Sequence, residues 1–173
     1  MSSQKPQAIS GVSASRETEM MIVYPSIASH WLGQILGRLF ESIPLKIHGI
    51  KLSYLLFPLP MIPAALGLYF HLKVFGERYV LTNRSLGRQA ALGSRVISQI
   101  PLADVDRIEV EQSPGHVFYK AADLAIFAAD GKSLMRLEAV PRADVFRQTI
   151  LKASVARQQV GASLATIEAR QSV

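Results

Sequence analysis

The alternation of apolar and polar positions divides the chain into three textures. From Met1 to Ser29 no period is sustained, and Ser, Gln and Ala dominate. Such a stretch predicts a flexible tail over residues 1–29. Within it, the piece Met20-Met21-Ile22-Val23-Tyr24-Pro25-Ser26 is apolar enough to dock as a short extended segment.

The second texture predicts helices. Over 30–43, Trp31, Leu32, Ile35, Leu36, Leu39, Phe40 and Ile43 recur at helical spacing, with Gln34, Arg38, Glu41 and Ser42 mainly on the other side. This segment is too short to span a bilayer alone. It can lie in the headgroup plane, form the first arm of a hairpin, or pack against a neighbouring domain, and the first two readings are favoured. Leu52 to Phe70 then carries no charged residue. A helix of that length reaches roughly 28 Å, about the hydrocarbon thickness. Tyr54 and Tyr69 sit near its ends, Lys51 precedes it, and His71 and Lys73 follow. The expectation is a transmembrane segment over 52–72 and a membrane anchor over 30–75. Pro58, Pro60 and Pro63 stand against a straight helix in water but are tolerated in a membrane.

The third texture begins near Arg78 and predicts short strands. Tyr79–Thr82 ends at Asn83-Arg84, Ser85–Leu92 runs to Gly93-Ser94, and Arg95–Ile100 stops at Pro101. Over Val105–Gln112, Ile108 and Val110 point inward and Arg107, Glu109 and Glu111 outward. Leu124, Ile126 and Ala128 alternate, Asp130-Gly131 marks a hairpin turn, and Met135, Leu137 and Ala139 alternate on the return. Pro141 opens a helix whose apolar face is Val145, Phe146, Ile150 and Ala153. It is expected to end near Gln158, leaving a tail over 159–173. Six or seven antiparallel strands followed by one helix predict a small barrel or bent sheet plugged by that helix.

Composition sharpens this picture only locally. The mean hydropathy of +0.22 and the 18% share of charged residues are set largely by the apolar run. A net charge of +6 suits an anionic leaflet, and its scatter argues against nucleic acid as partner. With no cysteine, disulfides and thiolate chemistry are excluded. His30, His48, His71 and His116 show no metal-binding spacing, and Glu109 and Glu111 read as a solvated edge rather than a catalytic pair. No cofactor, metal or enzyme motif is present in the sequence, so the chain is expected not to be an enzyme.

Several short motifs have a familiar layout. Arg78–Leu86 (Arg-Tyr-Val-Leu-Thr-Asn-Arg-Ser-Leu), Ile100-Pro101-Leu102-Ala103-Asp104-Val105 and Val110-Glu111-Gln112-Ser113 resemble the bacterial membrane-flanked pleckstrin-homology (PH-like) family. Tyr24-Pro25-Ser26 ahead of an apolar segment matches the same layout. The resemblance implies an α+β chain: an N-terminal membrane helix or helical hairpin, then a bent antiparallel β-barrel over 76–158 capped by a C-terminal helix. The expected function is a non-catalytic binding or scaffolding module at the inner membrane surface, and a slight excess of basic residues after the apolar run (Lys73, Arg78, Arg84 and Arg88, against Arg38, Lys46 and Lys51 before it) turns the domain toward the cytoplasm. The alternative is an accessory subunit of a larger membrane complex. Membrane lipids and a membrane-associated protein are the expected partners. PH domains that bind phosphoinositides use basic residues of their first hairpin, which makes Arg78, Arg84, Arg88 and Arg95 the candidate anionic headgroup contacts.

Overall fold

A computed structural model describes residues 17–171 and, at 55, 58–60, 164–169 and 171, the backbone only. The expected tail over residues 1–16 lies outside the described residues. The rest of that segment is built into the fold. Strand β1 (Glu19–Val23) pairs antiparallel with β4 (Glu77–Thr82), with Ile22 opposite Val80 and Val23 opposite Tyr79. The Tyr24-Pro25-Ser26 motif then turns the chain. Ser26 N–H donates to Ala139 O at 2.9 Å, and Ser26 Oγ accepts from Ala28 N–H at 3.1 Å, capping a 3₁₀ turn over Ile27–Ser29.

The helical unit is therefore an insertion between two neighbouring strands of one sheet, not an anchor placed ahead of the domain. It comprises α1 (Trp31–Glu41), a small hairpin of β2 (Lys46–Ile47) and β3 (Ile50–Lys51), α2 (Ser53–Leu56) and α3 (Pro58–Phe75). The hairpin was not expected from the sequence. Its two turn residues, His48 and Gly49, have φ of 50° and 84°, the left-handed pair that a two-residue hairpin loop requires.

The continuous span expected over 52–72 is also corrected. The chain breaks after α2, and α3 restarts with Pro58 in its first turn, where a proline ring is harmless. Among the described residues no helix is long and apolar enough to cross a membrane.

The domain proper has two antiparallel sheets. The first runs β1-β4-β5-β6, with β5 at Ser85–Ala90 and β6 at Val96–Pro101. The second runs β7-β8-β9, with β7 at Arg107–Glu111, β8 at Ala121–Phe127 and β9 at Ser133–Pro141. Alternation on the strands puts Tyr79, Leu81, Leu86, Ile100, Ile108, Leu124, Ile126 and Leu137 into one buried core. Helix α4 (Ala143–Gln171) covers it with Phe146, Ile150 and Ala153. Ser154 Oγ donates to Val105 O at 2.9 Å and fastens this helix to the loop before β7. Three expectations change here. Pro141 closes β9 instead of opening α4, Val145 stays exposed, and the helix continues to Gln171 where a tail over 159–173 was expected.

Tyr79 ties the two sheets together. Its hydroxyl donates to Glu138 O at 3.1 Å and accepts from Glu138 N–H at 2.9 Å. Burial pushes the phenol well above its ordinary range. Tyr79→Phe keeps the ring but strands a buried donor and a buried acceptor. The expected cost is about 1–3 kcal/mol, read from the shift in denaturant midpoint. The sign of the pH dependence follows from the raised value. The phenol's contribution is complete below its unfolded value near 10 and is lost as pH rises above it. The wild type should therefore lose stability in alkali more steeply than the Phe variant.

Candidate functional site

How the helical unit sits on the β domain follows from two glycines of α1. Gly33 and Gly37 lie four apart, so they share one face. A Cβ at Gly33 would come within 1.8 Å of Ile27 O, and one at Gly37 within 2.3 Å of Gly115 O. A Cβ at Gly115 would in turn come within 2.9 Å of Gln34, one turn before Gly37 on the same helix. Backbone thus meets backbone along this seam, with Leu36 buried beside it. Next to the seam, Phe40 stacks on Phe118 with ring centroids 4.5 Å apart and planes 13° from parallel. Tyr54 and Tyr119 close on Phe118 edge-on, at 5.5 and 4.9 Å. Burial pushes the Tyr119 phenol up to about 12. Lys51 pairs with Glu41 and holds its carboxyl below the usual carboxylate range. Ser53 Oγ donates to Phe40 O at 2.5 Å, fixing α2 against α1.

So α1 is the amphipathic helix packed on the β domain, the reading the sequence had favoured less. Its apolar residues are divided between two faces. Leu36 goes inward, while Trp31 (62% exposed), Leu32 and Ile35 face out. Helix α3 is more extreme. Its least exposed positions, Met61, Ala65, Leu68 and Leu72, form one stripe against the rest of the unit. Ile62, Leu66, Tyr69, Phe70, Val74 and Phe75 are exposed, Phe75 to 76%. The hairpin adds Leu45, Ile47 and Ile50, all exposed. An uncovered apolar surface of this extent marks an interaction site.

The four arginines do not converge. Register pairs Tyr79 with Arg88 and Arg78 with Gln89, so Arg88 and Arg78 project from opposite faces of the sheet. Arg88 holds Glu77 through two hydrogen bonds of 2.8 and 2.9 Å. Arg78 donates to Gln89 Oε1 at 2.9 Å and to Ser94 Oγ at 2.6 Å. Arg84 lies in the turn at the other end of the β4–β5 hairpin, where Glu17 accepts from Thr82 and Ser85. Those two hydroxyls, with a smaller contribution from Arg84, lower the Glu17 carboxyl below its usual range. Arg95 is exposed on the loop before β6. A single phosphate grip built from all four is not formed.

Among the described residues no group of His, Asp and Glu is arranged to hold a metal. His116 is buried with Nδ1 3.7 Å from Asp123 Oδ1, while Asp123 also accepts from Ala139 N–H and Arg136. This carboxylate braces the β8–β9 pair.

Two antiparallel sheets, a helix closing the core and an inserted helical unit are thus in place, and the sequence model of the bacterial PH domain matches residues 27–154. The chain belongs to the bacterial PH domain family. PH domains are generally non-catalytic binding modules, and typically bind lipids or proteins. The family match covers the inserted helices as well as the sheets, although it begins after β1. No curated protein matches the chain.

Proposed function

We propose that this bacterial PH domain protein is a non-catalytic, membrane-associated binding or scaffolding module, with the inserted helices resting in one leaflet and the β domain standing on its surface. One observation carries the reading: α3 presents Ile62, Leu66, Phe70 and Val74 to the outside, within a chain that holds no charge from Leu52 to Phe70. At roughly 25 cal/mol per Å2 of apolar surface, leaving these side chains in water is costly and a lipid phase removes the cost. The rigid seam between Gly37 and Gly115 makes anchor and domain one body, so the β domain is held at a fixed height above the lipid. The net charge of +6 is compatible with an anionic inner leaflet, and on this reading the domain faces the cytoplasm. Arg95 and Lys46, both exposed, then add weak, salt-sensitive headgroup contacts.

The full chain should float with vesicles of mixed neutral and anionic lipid, at low and at high salt. Replacing Leu66 and Phe70 together with Glu should reduce the floating fraction by at least about tenfold, since two charges enter the apolar layer. Unchanged flotation of the double variant would remove α3 from the lipid contact.

A second reading, an accessory subunit of a larger membrane complex, is favoured by the all-round apolarity of α3, whose exposed side chains spread over more than one face. A stoichiometric partner retained through purification in mild detergent distinguishes it.

A further inference from the structure

Where α3 ends, a cleft of about 260 Å3 opens between its last turn, Tyr24, the 3₁₀ turn and the start of β4. It is smaller than a site for a whole drug-sized ligand and suits a small polar group. Its lining includes Tyr24, Ser29, Tyr69, Lys73 and Glu77. Lys73 and Glu77 are four residues apart, a spacing that pairs opposite charges on a continuous helix. Here the helix stops at Phe75 and Gly76 turns extended, and each charge takes another partner. Lys73 Nζ stands over the Tyr24 ring, 4.0 Å from its centroid. Glu77 is held by Arg88. The bidentate grip uses part of the carboxylate's acceptor capacity and leaves the remainder.

The cleft thus offers a cation and an anion kept apart. The helix end decides what fits. Its last carbonyls give this end negative character, which disfavours a bare anion and favours an ammonium. The half-exposed Tyr69 ring adds a second surface for an ammonium. Lys73 supplies the cationic donor that suits a phosphate.

We propose that this cleft binds the phosphoamine headgroup of a zwitterionic phospholipid, its phosphate on Lys73 Nζ and its primary ammonium between Glu77 and the Tyr69 ring. The proposal rests on the membrane-facing reading, because α3 carries the cleft to the headgroup layer. Lys73 lies one turn, about 5 Å, beyond the uncharged run that ends at Phe70.

The test uses the full chain in a non-ionic detergent. Native mass spectrometry counts retained dihexanoyl phosphatidylethanolamine, phosphatidylcholine and phosphatidylglycerol, each against free phosphoethanolamine and inorganic phosphate. One phosphatidylethanolamine per chain is expected, held more tightly than either other lipid. Lys73→Gln should weaken it about tenfold, the scale of one charge-assisted hydrogen bond, and Tyr69→Leu should narrow the preference for the amine. Lys152→Gln, an exposed residue of α4, should match the wild type. Equal retention of the three lipids, or no effect of Lys73→Gln, would overturn the assignment. Tighter binding of free phosphoethanolamine than of the lipid would overturn its lipid source. If selectivity fails while flotation persists, the cleft alone is wrong; if flotation fails, the membrane reading fails first.

Discussion

Gly37→Val is expected to lift α1 off the β domain. The Cβ position lies 2.3 Å from Gly115 O and 2.9 Å from the Tyr119 ring. The ring can swing, but the oxygen is a backbone atom of a turn that packs on α1 at both Gln34 and Gly37. A Cβ 2.3 Å from a backbone oxygen is too close for a shift of a few tenths of an ångström to relieve, so the helix must move relative to the turn. Moving it also separates Phe40 from Phe118 and opens the aromatic cluster. Overpacking of this kind costs about 1–3 kcal/mol, and the lost ring contacts add roughly 1 kcal/mol. The measurement is proteolysis at Arg38 and Lys46 of the full chain in detergent, alongside thermal unfolding. Faster cleavage with an intact β domain is the expected result. Gly67→Ala provides the contrast. Nothing lies within 4 Å of its Cβ position, so it should be neutral or gain up to about 1 kcal/mol from helix propensity. If Gly37→Val resisted cleavage as well as the wild type, the seam would not hold the unit to the domain.

Leu137→Asp acts on the other half of the molecule. Leu137 is fully buried in β9 opposite Leu124, in the cluster that contains Phe146 and Ile150. The substitution removes a core side chain and puts a carboxyl where nothing solvates it. The loss should be about 4 kcal/mol or more, a large part of the ~5–15 kcal/mol that holds an ordinary domain together. Urea unfolding followed by circular dichroism reads it. Glu138→Gln, the exposed neighbour on the same strand, should change stability by less than about 0.5 kcal/mol. Equal midpoints for Leu137→Asp and the wild type would contradict the placement of β9 against the core.

These two variants also mark where local pattern was informative. Leu124, Ile126, Met135 and Leu137 declare their strands because period-two burial is a property of each strand alone, and Asp130-Gly131 declares the turn between them by its own backbone needs. Phe146, Ile150 and Ala153 declare the face of α4 in the same way. The glycine seam is a different kind of fact. Counting apolar residues at helical spacing puts Trp31, Leu32, Ile35 and Leu36 on one side, yet the buried face of α1 is built from Gly33, Leu36 and Gly37. Only the distant Gly115 explains why small residues are inside, and a periodic reading has no access to that partner. The same holds for β1. Its pairing with β4 crosses the whole helical insertion, so a segment rich in Ser and Gln ahead of it reads as tail. The β2–β3 hairpin is only two residues per strand, too short to show alternation, and His48-Gly49 is the one local signal it carries.

The arginines do not share one face, for a geometric reason that strand alternation contains. Ten positions apart on paired antiparallel strands, Arg78 and Arg88 fall one register step off, and one step reverses the face. Arg78 therefore turns to Gln89 and Ser94, and Arg88 to Glu77. The cleft at Lys73 was hidden for the opposite reason. Tyr24 and Lys73 are far apart in sequence, and the Tyr24-Pro25-Ser26 motif does not point to a lysine. Only the docking of α3 beside the Tyr24-Pro25-Ser26 turn brings ring and ammonium together.

The most direct test of the membrane-facing account is the depth of α3 in a lipid phase. Nitroxide labels at positions 62, 66 and 70 of the full chain, with one at the exposed position 133 at the start of β9 as reference, would be exposed to oxygen and to a water-soluble nickel chelate in the presence of vesicles. The account predicts that the three α3 labels collide mainly with oxygen, which partitions into lipid, and that the label at 133 collides mainly with the chelate. Chelate-dominated relaxation at 62, 66 and 70 would place α3 in water and contradict it.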